Sequence, residues 1–185
     1  AHNELEHDVF ISYRVASERD LAGELADRLV QADPGVRVFL DSRCLAVGHD
    51  WRGGFCNCLR RSKVIVVLVS GAGMARCRNA DAKPDNFLLE QEHALERYDQ
   101  GAAIVVPVLV GNPGTGKFDY ECLKPENYPT ARHCHEWAVM PVRAVVERVA
   151  CLQGLKMYDR AVTPKIVAEI LRQVRKVGAS PSTSA

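Results

Sequence analysis

The sequence predicts an α/β fold, a three-layer sandwich with a mostly parallel central sheet of about five strands flanked by helices. Three observations carry this. His7–Arg14 and Arg37–Asp41 are short apolar bursts, rich in β-formers, that end abruptly in polar residues, as buried parallel strands do. Between them Leu21, Leu25 and Leu29 recur with Ala22 and Ala26 at helical spacing. Two further continuous apolar runs, Val64–Val69 and Ala102–Val110, are again separated by a helical pattern, and alternation of strand with helix argues for parallel strands covered on both faces.

In order, Val9–Tyr13 is expected as the first and central strand. A helix over Glu18–Ala32, with Ser17 as N-cap, is broken by Pro34-Gly35. Val36–Leu40 is the second strand. Asp41–Asp50 is a polar loop containing Gly48, and Trp51–Leu59 reads as a short, glycine-weakened helix. Val64–Ser70 is the third strand, buried on both faces. Gly71–Pro84 is a long irregular stretch of the kind that often carries function. Asp85–Asp99 is helical, and Ile104–Val110 is the fourth strand. Prolines 113, 125 and 129 break up Asn112–Ala138, which reads as an insertion or long loop. Val142–Leu152 is apolar at helical spacing. Thr163-Pro164 offers an N-cap followed by proline at the first helical position, and the helix runs to about Val177. A fifth strand should close the sheet, but no segment singles itself out.

The 185 residues suit one domain: residues 1–178, with a core over 7–111, an irregular insertion over 112–140, C-terminal helices over 141–177, and a disordered tail over 179–185. The first residue is not methionine and the end is rich in Ser, Pro and Thr, which suggests a piece of a longer polypeptide; a processed terminus would look the same. A net charge of +1 gives no broad electrostatic footprint for nucleic acid or anionic lipid. The apolar runs fall short of a membrane span. No partnership with nucleic acid and no membrane insertion are expected. Seven cysteines, an odd number without a secretory signal, read as reduced thiols of a cytoplasmic protein.

Ligands of open α/β sheets bind at the carboxyl edge of the strands, so Ser12, Tyr13, Arg14 and Asp41 are the first candidates for chemistry. With them the chain resembles the Toll/interleukin receptor (TIR) domain family. The first shared element is Asp8-Val9-Phe10-Ile11-Ser12-Tyr13-Arg14. The second is Val36-Arg37-Val38-Phe39-Leu40-Asp41 followed by Leu45, Gly48 and Trp51. The third is Ser62–Ser70, a loop containing Cys77, and a helix opening Asp85-Asn86-Phe87-Leu88-Leu89-Glu90 and continuing to Ala94-Leu95. The resemblance implies a flavodoxin-like architecture. It also implies one of two functions: adaptors that signal by TIR–TIR association, or enzymes that cleave the nicotinamide–ribose bond of NAD.

A glutamate near the start of the third helix largely separates the two kinds, and Glu90 stands at that position. The resemblance makes Glu90 catalytic and puts Tyr13 and Arg14 over the ribose, nicotinamide or phosphates of NAD. On periodicity alone Glu90 is a solvated glutamate favourable to the helix dipole, Arg14 a surface residue capping a strand, and Tyr13 a half-buried aromatic. Glu92 points about 200° away from Glu90, so the two cannot share a pocket, and both are expected near the surface. Asp41 reads as fixing its loop more than touching substrate, and Trp51 as packing. Many NAD-cleaving relatives carry an aromatic residue four positions before the glutamate; here that position is Asn86, leaving Phe87 to substitute or the nicotinamide to be clamped differently.

Other motifs are weaker. Gly111–Lys117 matches a phosphate-binding loop up to its lysine, but Phe118 stands where Ser or Thr should hold magnesium and the next segment is proline-broken. It reads as a flexible glycine loop. His133, Cys134, His135 and Cys122, or Cys56 and Cys58, lack paired metal-ligand spacing. No metal and no bound cofactor are therefore expected, with NAD as substrate. Two functions stand: an NAD glycohydrolase that acts on self-association in signalling or defence, or a non-catalytic scaffold with homotypic TIR–TIR contacts through the Asp41–Trp51 loop and adjacent helices.

Overall fold

A computed structural model describes residues 7–40 and 57–179. Five strands form one sheet: β1 His7–Ser12, β2 Val38–Phe39, β3 Ser62–Val69, β4 Ile104–Val110 and β5 Leu155–Met157. Their order is β2-β1-β3-β4-β5, and every adjacent pair is parallel. The expectation of a central first strand is corrected here. β1 is interior, but β3 occupies the centre, and its eight residues are the longest run of the sheet. The fifth strand is the three-residue β5, which pairs on one side only. Its Leu-Lys-Met sequence carries too little apolar pattern to be seen beforehand.

Helices cover both faces, and the strand period of two sorts the core between them. Val9, Ile11, Val64, Val66, Leu68, Val106 and Val108 pack with α1 (Val15–Ala32) and the C-terminal α5 (Pro164–Ala179). Phe10, Ile65, Val67, Val69 and Val105 face the other way, onto α3 (Asn86–Asp99) and α4 (Val142–Cys151). Between β3 and α3 lie the short α2 (Gly71–Ala75) and a 3-10 turn over Arg76–Asn79.

Three boundaries differ from expectation. α1 begins at Val15 with Arg14 at its N-cap and no side-chain cap; the Ser17 hydroxyl instead donates to Glu18. Gly71–Pro84 is partly helical. Asn112–Ala138 is irregular, with 3-10 turns over Tyr120–Leu123 and Pro125–Asn127, yet it belongs to the core, because Cys122 and Tyr128 are buried in the cluster shared by α3 and α4. At the start of α5 the Thr163 hydroxyl accepts from the Ile166 N–H at 3.4 Å, as the Thr-Pro pair predicts. Residues 57–60 are helical; Asp41, Leu45, Gly48, Trp51 and the rest of that loop lie outside the described residues. Among the described residues no helix is long and apolar enough to cross a membrane.

Candidate functional site

The β2-β1-β3 order reverses direction of chain progress at β1 and β3, and the crevice outside their carboxyl ends is where open α/β sheets bind ligands. Register aligns Ser12 with Val67 across that crevice. The pleat that turns Val9, Ile11 and Tyr13 toward α1 turns Ser12 toward α3. There the fully buried Ser12 hydroxyl donates to Glu90 Oε2. Glu90, half-buried on the second turn of α3, is thus tied to the end of the interior strand β1.

Arg14 follows Ser12 and Tyr13 out of the strand and is held at Nε, at Nη2 and against a ring face. Its Nη2 donates to Asp85 Oδ1 at 3.1 Å and Oδ2 at 2.8 Å, and its Nε to the Gly73 carbonyl at 3.0 Å. The guanidinium carbon lies 5.0 Å from the centre of the Phe87 ring, a cation–π distance. Gly73 is tightly surrounded at this point: a Cβ would come within 3.1 Å of both Glu18 Oε2 and Ser70 Oγ, which would have to give way by a few tenths of an ångström. Asp85 does double duty: Oδ1 also accepts from the Leu88 N–H at 3.0 Å, capping α3. The Asp85 N–H in turn donates to His133 Nε2 at 3.0 Å. Burial holds the His133 pKa below its usual value, in keeping with a neutral ring that accepts there. Burial also pushes the Cys77 thiol, beside Arg14, up to about 12, so it is not a thiolate nucleophile at neutral pH.

A cavity of about 600 Å³ opens over this frame, within the usual range for small-molecule sites. Tyr13, Arg14, Val15 and Ala16 line one side, Asp85, Asn86, Phe87 and Glu90 the α3 side, and Arg76, Asn79, Lys83 and Pro84 the third. The structure therefore brings together Ser12, Tyr13, Arg14, Asn86, Phe87 and Glu90, and leaves Asp41 outside the described residues. Arg14 is more committed than expected: its Nη2 is held by Asp85 and its Nε by the Gly73 carbonyl, while the residue lines the cavity.

Glu92 is a correction. Expected near the surface, it is 4% exposed, and its Oε1 accepts the Val139 and Met140 N–H groups at 2.6 and 2.9 Å. It pins the irregular 133–141 segment onto α3, on a different face from Glu90. The signal was present in the sequence, because Glu92 falls on the stripe of Leu88 and Leu95 (i, i+4, i+7). Glu92→Ala removes the acceptor of two backbone donors and lowers stability by about 2 kcal/mol; a urea midpoint shift equivalent to less than about 0.5 kcal/mol would show that the segment is held by other contacts.

Sequence reasoning also missed Glu18, fully buried on the stripe of Leu21, Ala22 and Leu25. Its Oε1 accepts from Ser70 Oγ at 2.7 Å and lies 3.9 Å from Arg160 Nη1. A charge on an apolar stripe is the common sign of Glu18 and Glu92. The phosphate-loop lookalike is a packing turn: a Cβ on Gly111 would lie 1.6 Å from the Tyr158 carbonyl oxygen, and irregular backbone and a four-residue 3-10 turn, not an α-helix, follow Lys117.

A flavodoxin-like α/β sheet with a carboxylate and a cavity at the β1/β3 crevice is the class this geometry defines. Residues 9–136 match the family described as TIR domain, and the chain belongs to that family. Among solved structures it is similar to the TIR domains of the activated Roq1 resistosome that directly recognises the pathogen effector XopQ, at 20% identity and a TM-score of 0.56, covering 90% of this chain and 98% of that one. It is also similar to a metazoan TIR-STING receptor from C. gigas, solved in complex with 2',3'-cGAMP, at 15% identity and a TM-score of 0.55, covering 92% of this chain but 40% of that one. At these identities the likeness is one of fold. No curated protein matches the chain in sequence.

Proposed function

We propose that this TIR domain is an NAD glycohydrolase, cleaving the nicotinamide–ribose bond to give nicotinamide and ADP-ribose or a cyclised ADP-ribose, and acting on self-association in signalling or defence. The observation that carries the reading is Glu90: its carboxylate is anchored by buried Ser12 and borders the cavity at the crevice of the sheet. Chemistry makes one carboxylate sufficient. Most glycosidases need a second carboxyl group to protonate the departing oxygen. The nicotinamide of NAD carries a positive ring charge and takes the electron pair of the breaking C–N bond, leaving neutral without a proton. What remains is an oxocarbenium-like ribose, which a carboxylate beneath it stabilises electrostatically while binding its hydroxyls. Water then adds to the ribose carbon and gives up a proton, or a nitrogen of the adenine adds instead and closes the ring. Tyr13, Asn86 and Phe87 supply the walls against which the nicotinamide ribose is oriented. Neither metal nor prosthetic group is required. A cytoplasmic setting fits the five free cysteines among the described residues.

The competing reading is a non-catalytic scaffold joined by TIR–TIR contacts, and Asn86 favours it, standing where NAD-cleaving relatives place an aromatic ring. Incubating the purified chain with NAD at high protein concentration and measuring free nicotinamide decides between them. If self-association completes the pocket, specific activity rises with protein concentration, and substitutions between Ser42 and His49 depress it without unfolding the domain. Constant specific activity over a hundredfold dilution counts against that requirement.

A further inference from the structure

We propose that Arg76 and Lys83 bind the pyrophosphate of a dinucleotide in the Glu90 cavity and so select dinucleotides over ribosides that lack phosphate. The inference rests on the glycohydrolase reading for the orientation of the substrate, but the clamp itself is a binding property that can be measured alone.

The charges around the cavity point to it. Of the three cations in its lining, Arg14 is neutralised by Asp85 at 2.8 Å and buried. Arg76 and Lys83 are exposed side chains of the same lining, and among the described residues neither is held in an ion pair. Arg78, between them in sequence, is turned instead to the Tyr128 phenol. Two cations and the Asn79 amide therefore front the same cavity as one carboxylate. A ligand that is cationic or neutral at one end and doubly anionic at the other matches this layout; a dinucleotide with its ribose on Glu90 has its pyrophosphate one methylene away from that ribose ring.

The cations are also carried on a fixed backbone. The Ala80 N–H donates to the Cys77 carbonyl at 3.1 Å, the Lys83 N–H to the Asn79 carbonyl at 2.9 Å, and the Cys134 N–H to the Ala80 carbonyl at 2.8 Å. Cys77 and Ala80 are fully buried beneath. The segment is ordered before ligand arrives, which spares part of the entropy cost of binding. Arginine supplies a bidentate fork for phosphate and lysine a point charge.

The test compares wild type with Arg76→Gln, Lys83→Gln and the double variant, at a protein concentration where the domain is assembled. Two readouts are taken: kcat and KM for NAD and for nicotinamide riboside, and calorimetric affinity for ADP-ribose in a Glu90→Gln background, where no chemistry intervenes. Each single variant should raise the NAD KM on the order of tenfold with kcat little changed. The preference for NAD over the riboside, as a ratio of kcat/KM values, should fall by the same factor. ADP-ribose affinity should fall in parallel, more steeply at low salt, and Lys83→Arg should restore it. If NAD is cleaved but neither its KM nor ADP-ribose affinity changes by twofold, the clamp is wrong and the Glu90 reading stands. If NAD is not cleaved yet ADP-ribose binds and the variants weaken it tenfold, the clamp stands and the glycohydrolase reading falls. Failure of wild type to bind ADP-ribose overturns the clamp, and equal losses on NAD and riboside overturn its role in selection.

Discussion

Glu90→Gln should lower nicotinamide release from NAD by on the order of 10²–10³ in kcat, the usual cost of losing one preorganised electrostatic contact, while KM changes little. The substitution is close to isosteric. The glutamine carbonyl still accepts the Ser12 hydroxyl, which is fully buried and needs a partner, so the side chain keeps its place and the charge alone is lost. The half-buried position keeps the effect on stability small. Glu90→Ala is the poorer experiment, because it strands the Ser12 hydroxyl and mixes a folding defect with a catalytic one. Wild-type rates in Glu90→Gln, with an unchanged melting temperature, would remove the carboxylate from the mechanism. Absence of nicotinamide release from the assembled wild-type chain would leave the scaffold reading in its place.

Legibility of the fold and of the site differed for a physical reason. β1, β3 and β4 are buried on both faces, so they had to be written as uninterrupted apolar runs, and their parallel arrangement followed from the helices between them. β5 makes one pairing over three residues, so little selection for apolar side chains acts on it. At the site, the position of Glu90 was legible through its register with Leu88, Leu89, Ala94 and Leu95, and Ser12 through the abrupt polar end of β1. Arg14 was legible as present but not as occupied. Its partner Asp85 is 71 residues further on, and no periodicity links a strand end to a helix cap at that distance. Glu18 and Glu92 did leave a mark, each being a carboxylate on an apolar stripe. Reading a charge on such a stripe as a surface residue is the error; buried charges are kept only with partners, so it announces a network whose other members are unknown. Arg76 and Lys83 left no mark, since exposed cations in a loop look alike until the fold places two of them on one cavity wall.

Asp85→Ala should destabilise the domain more than any other single change at the site, by about 4 kcal/mol or more. Two losses combine. The Arg14 guanidinium, 9% exposed, is left as a buried cation without its counter-charge, at a typical cost of about 3–5 kcal/mol. α3 loses its cap on the Leu88 N–H, at a cost of about 1 kcal/mol. The terms share atoms and need not add fully. Against an ordinary total of about 5–15 kcal/mol, the variant is a candidate for not folding, so Asp85→Asn is the sharper probe. Asparagine remains a good N-cap and keeps one oxygen for Leu88, which isolates the missing charge. Replacing both partners, as Arg14→Met with Asp85→Asn, should recover most of the loss, because removing the uncompensated cation removes the cause of it. The same pair positions the Phe87 ring that borders the cavity, so the recovered double variant should still bind dinucleotide less tightly than wild type. Urea midpoints for the three chains check the prediction. A cost below about 1 kcal/mol for Asp85→Asn, or no recovery in the double variant, would mean that Arg14 is accommodated without Asp85, leaving its guanidinium available to substrate.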